Sequence, residues 1–388
     1  MIAPSRRVAL RRRLLAWYRD AARDLPWRRD PTPYAVWLSE IMLQQTQVAV
    51  VLPHYTRFRA RFPTIEALAA AGEEAVLAAW QGLGYYGRAR RLHAAARRIV
   101  AEHGGSFPSD PQAALALPGI GRYTAGAILS IAYGEPLPVV DGNVARVLAR
   151  LEEIDGTLED AAARALLWRL ASELVPAEAP GDWNQALMEL GALVCTAAAP
   201  RCDACPVRLS CRARAAGRTA ELPPPRRRRR PPRIAVAVAW IEQDGAVLVT
   251  RRGDQGVLAG FWELPAADLP GARAAAGDAS MPATLALPTP RAARTALRPV
   301  LRTLGIDRFR IGAALARVTH TMFNRRAELT LFPVGADGGQ LGRAGRGAGA
   351  AFVDLAAPAG RPLTTATRKL MAAVASRREA APRAAGTG

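Results

Sequence analysis

Along the first half of the chain, apolar residues recur at spacings of three and four. Val8, Leu10, Leu14, Leu15, Trp17 and Tyr18 form one such stripe, the pattern of an amphipathic helix laid on a core. Ala/Leu-rich segments of the same period, cut by Pro and Gly, continue to about residue 215 and predict a helical region. Between Leu222 and Pro232 the pattern stops. Prolines flank five arginines, Arg226 to Arg230, which predicts a stiff, solvated linker. From Ile234 the texture changes again. The run Ile234–Ile241, the Asp244-Gly245 pair and Ala246–Val249 predict a β-hairpin. Residues 313–319 and 327–334 also read as strands, and 291–304 as a helix. The Ala/Gly/Pro-rich segments 268–290 and 335–349 predict loops, and the residues after 375 a disordered tail. The expected organisation is an all-α domain over 8–216, a linker over 217–233, an α+β domain over 234–375 and a tail over 376–388.

Composition adds a partner class. The 388 residues suit two or three domains. Lys+Arg number 53 against 33 Asp+Glu, a formal charge of +20, and Lys369 is the only lysine. A base-composition bias accounts for Arg in place of Lys. It leaves the excess of positive charge unexplained, and that excess points to a polyanion such as nucleic acid. No apolar run is long enough to span a bilayer, and the basic N-terminus lacks a secretory apolar stretch, so the expectation is a soluble cytoplasmic protein.

Four cysteines, Cys195, Cys202, Cys205 and Cys211, fall within one short segment as C-x6-C-x2-C-x5-C. Four thiolates suit tetrahedral zinc, but typical zinc sites pair two C-x2-C knuckles and here there is one. A loop of four thiolates around one object also suits a [4Fe–4S] cubane. Upstream, Leu117-Pro118-Gly119-Ile120-Gly121-Arg122-Tyr123-Thr124 places two glycines in a tight turn before a helix-like stretch. Its uncovered backbone N–H groups would attract phosphate, although an ordinary helix–helix turn looks the same. Asp141-Gly142-Asn143 follows, where Asp141 suits the N-cap of the next helix, a position that also fixes the direction of its carboxylate. Glu40 stands amid Trp37, Leu38, Ile41 and Met42, surroundings that would raise its pKa.

Together these segments resemble the endonuclease III and adenine DNA glycosylase superfamily and, through Trp37–Val48, its adenine DNA glycosylase (MutY) family. The resemblance covers roughly residues 8–334. It implies an all-α helix-hairpin-helix glycosylase domain with one [4Fe–4S] cluster held by Cys195, Cys202, Cys205 and Cys211, then an α+β Nudix-like domain. It implies hydrolytic removal of adenine mispaired with 8-oxoguanine or guanine in double-stranded DNA, by base flipping, in base excision repair. In this reading Glu40 is general acid and later water activator, Asp141 stabiliser or nucleophile, Asn143 its positioning partner and Tyr123 a third active-site group. Gln45 and Tyr85 match the family's wedge residues, Arg88 suits phosphate contact, and Gly119, Gly121 and Arg122 form the hairpin. The lyase branch carries a lysine at the hairpin position where this chain has Tyr123, which implies a monofunctional enzyme. Gly256–Pro265 resembles a Nudix stretch, yet residues 291–306, where metal-binding glutamates would lie, hold no Asp or Glu. That implies recognition in place of hydrolysis, with Thr319 and His320 at the family's lesion-reading stretch. An endonuclease III-like glycosylase/lyase for oxidised pyrimidines is the alternative enzyme, opposed by Glu40, Tyr123 and the second domain. A non-catalytic DNA binder is opposed by the retention of both Glu40 and Asp141. A monomer is the simplest assembly.

Overall fold

The computed structural model describes residues 2–157, 159–224, 231–253, 258–274, 286–322, 325–336, 341, 349–355 and 361–380. The chain divides into two compact units, Met1–Arg227 and Arg228–Gly388. Among the described residues, no helix is long and apolar enough to cross a membrane.

The first unit is helical: α1 (Pro4–Ala21), α2 (Pro26–Arg29), α3 (Pro33–Leu43), α4 (Val48–Arg61), α5 (Ile65–Ala70), α6 (Glu73–Ala79), α7 (Gly87–His103), α8 (Pro111–Ala116), α9 (Arg122–Ala132), α10 (Gly142–Glu152), α11 (Ala161–Leu174), α12 (Pro180–Leu193) and α13 (Arg212–Ala215). The prolines that punctuate the sequence stand in the first turn of α1, α2, α3, α8 and α12, where a missing N–H costs nothing. The first helix begins at Pro4, earlier than its apolar stripe, for that reason. Leu10 and Leu14 of α1, Val144 and Leu148 of α10, Leu167 of α11 and Leu187 and Leu190 of α12 share one core. Helix α3 is buried along its whole middle, from Tyr34 to Met42, with Thr32 capping its N-terminus. A functional side chain on α3 is therefore fixed by packing on every side.

The second unit holds β1 (Arg233–Trp240), β2 (Glu242–Gln243), β3 (Ala246–Arg251), β4 (Trp262–Glu263), β5 (Ala266–Ala274), α14 (Pro290–Thr303), β6 (Phe309–Ile311), β7 (Ala316–Met322), β8 (Arg325–Ala336), β9 (Ala350–Asp354) and α15 (Thr365–Ala380). One sheet runs β5-β1-β8-β6 with β7 also on β8, and the other runs β2-β3-β4 with β9 on β3. Strands β1 and β8 are parallel. Helix α14 buries Ala293, Leu297 and Leu301 in one core with Phe309 and Phe332, and α15 buries Leu370, Met371 and Val374 in another with Val236, Val238 and Trp240.

Three expectations need correction. The run 234–241 does not pair with 246–249 as a simple hairpin. β1 lies between β5 and β8 of the first sheet, and only Glu242–Gln243 turns back on Ala246–Val247 through Asp244 and Gly245, both at positive φ. A strand sandwiched between two cores is apolar throughout, so its sequence does not mark which neighbour it takes. The loop expected from residue 268 is strand β5 as far as Ala274, and residues 275–285 lie outside the described residues. The tail expected after 375 is still helix α15 to Ala380, its Ser-Arg-Arg-Glu-Ala stretch holding no breaker. Arg226 to Arg230, residues 337–340 and 342–348, Gly256, Val257 and residues 381–388 also lie outside the described residues.

Candidate active site

Three side chains far apart in sequence meet in a cavity of about 860 Å³ whose lining includes Glu40, Tyr123, Asp141 and Asn143. Glu40 comes from the buried helix α3 and is 6% exposed. Tyr123 is the second residue of α9, placed by the Gly119–Gly121 turn. Gly119 adopts φ +81, and a Cβ there would lie 2.9 Å from Cβ of Arg91, so both conformation and space demand glycine. Gly126 of α9 lets the backbone of Pro138 approach, since a Cβ would meet its carbonyl oxygen at 2.5 Å. The segment Pro138–Val140 is thereby pinned to α9 and delivers Asp141 to the cavity.

Tyr123 donates its hydroxyl proton to Oε2 of Glu40 at 2.7 Å. Burial pushes Glu40 up to about 7. The tyrosine hydrogen bond pulls it down, the Asp141 charge pushes it up, and the Arg28 charge pulls it down. Burial, with both carboxylates beside it, holds the Tyr123 phenol well above its ordinary value, so it remains a donor. Asp141 caps α10, accepting from the Val144 amide at 2.7 Å and the Asn143 side-chain amide at 3.1 Å. Burial raises its pKa, and these donors oppose the rise by favouring the carboxylate. The cap and the cavity-facing carboxylate are the same group. Arg146, one turn into α10, donates to Oδ1 of Asn143 at 2.9 Å and to the Cys195 carbonyl at 2.8 Å. It ties the carboxylate's partner to the cysteine loop.

The cavity wall carries groups that sequence reasoning missed. Glu189 of α12 accepts from Arg23 at 2.7 and 2.8 Å and from Arg28 at 2.9 Å, and Arg28 also donates to Gln185 at 3.2 Å. Burial raises Glu189, but the two arginines outweigh it and hold the carboxyl down to about 2. The available signal was Gln185 and Glu189 one turn apart on α12, where they share a face.

Gln45 and Tyr85 are both exposed and both at positive φ, 58 and 47 degrees. Arg88 requires a correction. It is 5% exposed, and its guanidinium donates inward to protein carbonyls, so it does not reach phosphate. Spacing after a glycine loop marks basic character, but packing decides where the charge points. Arg122 is exposed and lies 3.9 Å over the Trp168 ring. Thr319 is exposed and His320 half-buried on β7, paired with Glu328 and Ala327 of β8.

The four cysteines are free thiols, half-buried, and line one small cavity together with Arg150, Arg201, Arg208 and Arg214. Among the described residues, no group of three or more His, Cys, Asp or Glu is arranged to hold a metal ion. Arg150 donates to Sγ of Cys195 at 3.3 Å and to the carbonyls of Thr196 and Leu222, both at 2.7 Å. Burial pushes Cys205 up to about 11 and Cys211 upward, so four thiolates here would need a strong positive centre among them. Four sulfur donors around one small cavity fit a metal centre bound through thiolates.

Residues 38–173 match the HhH-GPD superfamily of base excision DNA repair proteins, and residues 236–373 match the NUDIX domain. A solved thermostable thymine-DNA glycosylase superposes with a TM-score of 0.51 at 29% identity, over 55% of this chain and 98% of that one. These matches define the class: a helical HhH-GPD domain of the base excision repair type followed by a Nudix-like α/β domain. Within that class the chain is similar in sequence to adenine DNA glycosylases. It is 43% identical to the rat adenine DNA glycosylase over 68% of this chain and 61% of the relative, and 44% identical to the human one over 66% and 57%. The Arabidopsis thaliana adenine DNA glycosylase is 39% identical over 66% of this chain and 47% of its own length. The chain thus spans about half to three fifths of the length of the curated relatives it matches.

Proposed function

We propose that this protein is a monofunctional adenine DNA glycosylase acting on adenine opposite 8-oxoguanine or guanine in duplex DNA. The observation that carries the reading is the bond from Tyr123 to a buried Glu40 whose carboxyl titrates near 7, facing the same cavity as Asp141. Adenine leaves poorly as an anion, so a ring nitrogen must be protonated as the N-glycosidic bond breaks. Glu40 holds a transferable proton near neutrality, and Tyr123 orients its carboxyl. The sugar then gains positive charge, which the Asp141 carboxylate, held by Val144 and Asn143, stabilises or captures. This is the division of labour between paired carboxylates in glycoside hydrolysis. Glu40 then activates the water that completes the reaction. The only lysine, Lys369, belongs to the second unit, so no lysine of the helical unit can form an imine with the sugar.

The target base must leave the duplex to reach the cavity, with Gln45 and Tyr85 filling the gap and the Gly119–Arg122 turn holding phosphate. Cys195, Cys202, Cys205 and Cys211 would hold a [4Fe–4S] cluster, which on binding supplies a rigid staple for the loop. The second domain reads 8-oxoguanine through Thr319 and His320. An excision assay on a duplex with one A:8-oxoguanine pair tests the activity. Base release that gives strand breaks only after alkali is expected. Breaks without alkali would favour a lyase, and binding without release a non-catalytic protein.

A further inference from the structure

The Gln45 turn and the Leu83–Tyr85 loop belong to separate segments, yet one buried guanidinium holds both. Nη1 of Arg88 donates to the carbonyls of Ile41 at 2.9 Å and Met42 at 2.8 Å and to that of Gln44. Nη2 donates to Oγ1 of Thr46 and the carbonyl of Leu83, both at 3.1 Å, and to the carbonyl of Gly84 at 3.2 Å. The first set includes carbonyls at the C-terminus of α3, which have no partner within the helix. Of the remainder, Gln44 and Thr46 flank Gln45, and Leu83 and Gly84 directly precede Tyr85. The cation also lies 5.4 Å over the Trp80 ring and 5.6 Å over the Tyr85 ring. Its Nε is buried without a partner, so the side chain works through its two terminal nitrogens. Burial lowers the Arg88 pKa to about 10, which leaves it charged at neutrality.

We propose that Arg88 is a positioning residue that locks the Gln45 turn and the Tyr85 loop into a single wedge, in fixed register with the Glu40 helix. Gln45 and Tyr85 adopt a backbone region that side-chain-bearing residues keep only when their surroundings hold them there. Six acceptors, from the end of α3, the Gln45 turn and the Leu83–Tyr85 loop, converge on one planar fork. No other side chain offers that geometry, and a lysine, as a single point of charge, could not span it. Because Ile41 and Met42 directly follow Glu40, the same fork sets the distance between the acid and the wedge. Both wedge tips then enter the stack together as the base leaves.

This rests on the reading of the helical domain as a base-flipping glycosylase, and the test separates the two. The probe is a duplex with 2-aminopurine in place of the target adenine opposite 8-oxoguanine, whose fluorescence rises on unstacking. Wild type should give the rise, and its failure to do so would sink the flipping reading itself. Arg88→Gln and Arg88→Lys, in the full chain, should lower the rise by about tenfold at saturating protein. Affinity for an abasic-site duplex, where no base needs extruding, should fall much less. Thr46→Val removes one of the six bonds and serves if the Arg88 variants fold poorly. A drop of roughly threefold in the rise is expected from it. A full fluorescence rise in folded Arg88→Gln, or in Thr46→Val when the former does not fold, would overturn the proposal and leave Arg88 as packing alone.

Discussion

Helices α3 and α14 invite comparison. The first hides one carboxylate, Glu40, among apolar neighbours and holds it with a tyrosine hydroxyl. The second stands where a Nudix hydrolase would carry metal-binding acids, and it carries Arg291, Arg294, Arg298 and Arg302 on an exposed face with no acid at all. Both helices pack into a core, α3 from Tyr34 to Met42 and α14 through Ala293, Leu297 and Leu301. The difference is electrostatic. Burial around α3 keeps a proton available near neutral pH, whereas α14 offers nothing a hard cation would bind. Fold alone does not give the chemistry, which is found by asking where titratable groups face one another.

The comparison breaks most readily at its catalytic end. Glu40→Gln keeps the shape and removes the proton, so single-turnover adenine release should fall by about 10²–10⁴-fold with duplex binding retained. Asp141→Asn should lose a similar factor while keeping the α10 cap through its amide oxygen. Quantifying free adenine under saturating enzyme checks both, and near-normal release by Glu40→Gln would remove the acid assignment. A smaller loss is expected one contact further out. Arg146→Met frees Asn143 and the Cys195 carbonyl together, and release should slow by roughly 10–100-fold, as for other residues that orient a functional group through a neighbour. The smallest effects belong to the second domain. Thr319→Ala or His320→Ala removes at most a hydrogen bond or two, so the preference for 8-oxoguanine over guanine should narrow by about 2–10-fold, with the chemical step unaltered. Competition between the two duplexes measures that ratio, and an unchanged preference in both variants would place lesion reading elsewhere.

Legibility in the sequence followed contiguity. Glu40, Tyr123 and Asp141 each stand in a short segment whose composition already describes the local structure: a buried helix, a glycine turn, a cap. The structure brings the three to one cavity. The Arg23–Glu189 pair was invisible because its members are 166 residues apart and nothing local to either marks the other. Arg88 was misread because position after a glycine loop says nothing about which way a long side chain folds. Strand β1 was assigned to the wrong partner for a related reason, since its apolar run fits a neighbour in either sheet. The four cysteines fell between these cases. Their spacing marks a shared site, and only their burial beside Arg150 shows how costly four bare thiolates would be.

The central claim is that Glu40 delivers a proton, and the pH dependence of single-turnover adenine release tests it most directly. With Glu40 at about 7, the acid form predominates below that value and is lost above it. Release should therefore fall as pH rises through about 7, and fall again at low pH as Asp141 takes up a proton. The Tyr123 hydroxyl pulls the Glu40 pKa down, so Tyr123→Phe should move the alkaline limb to higher pH. A rate that stays flat or climbs between about pH 6 and pH 9, in wild type and variant alike, would contradict the account.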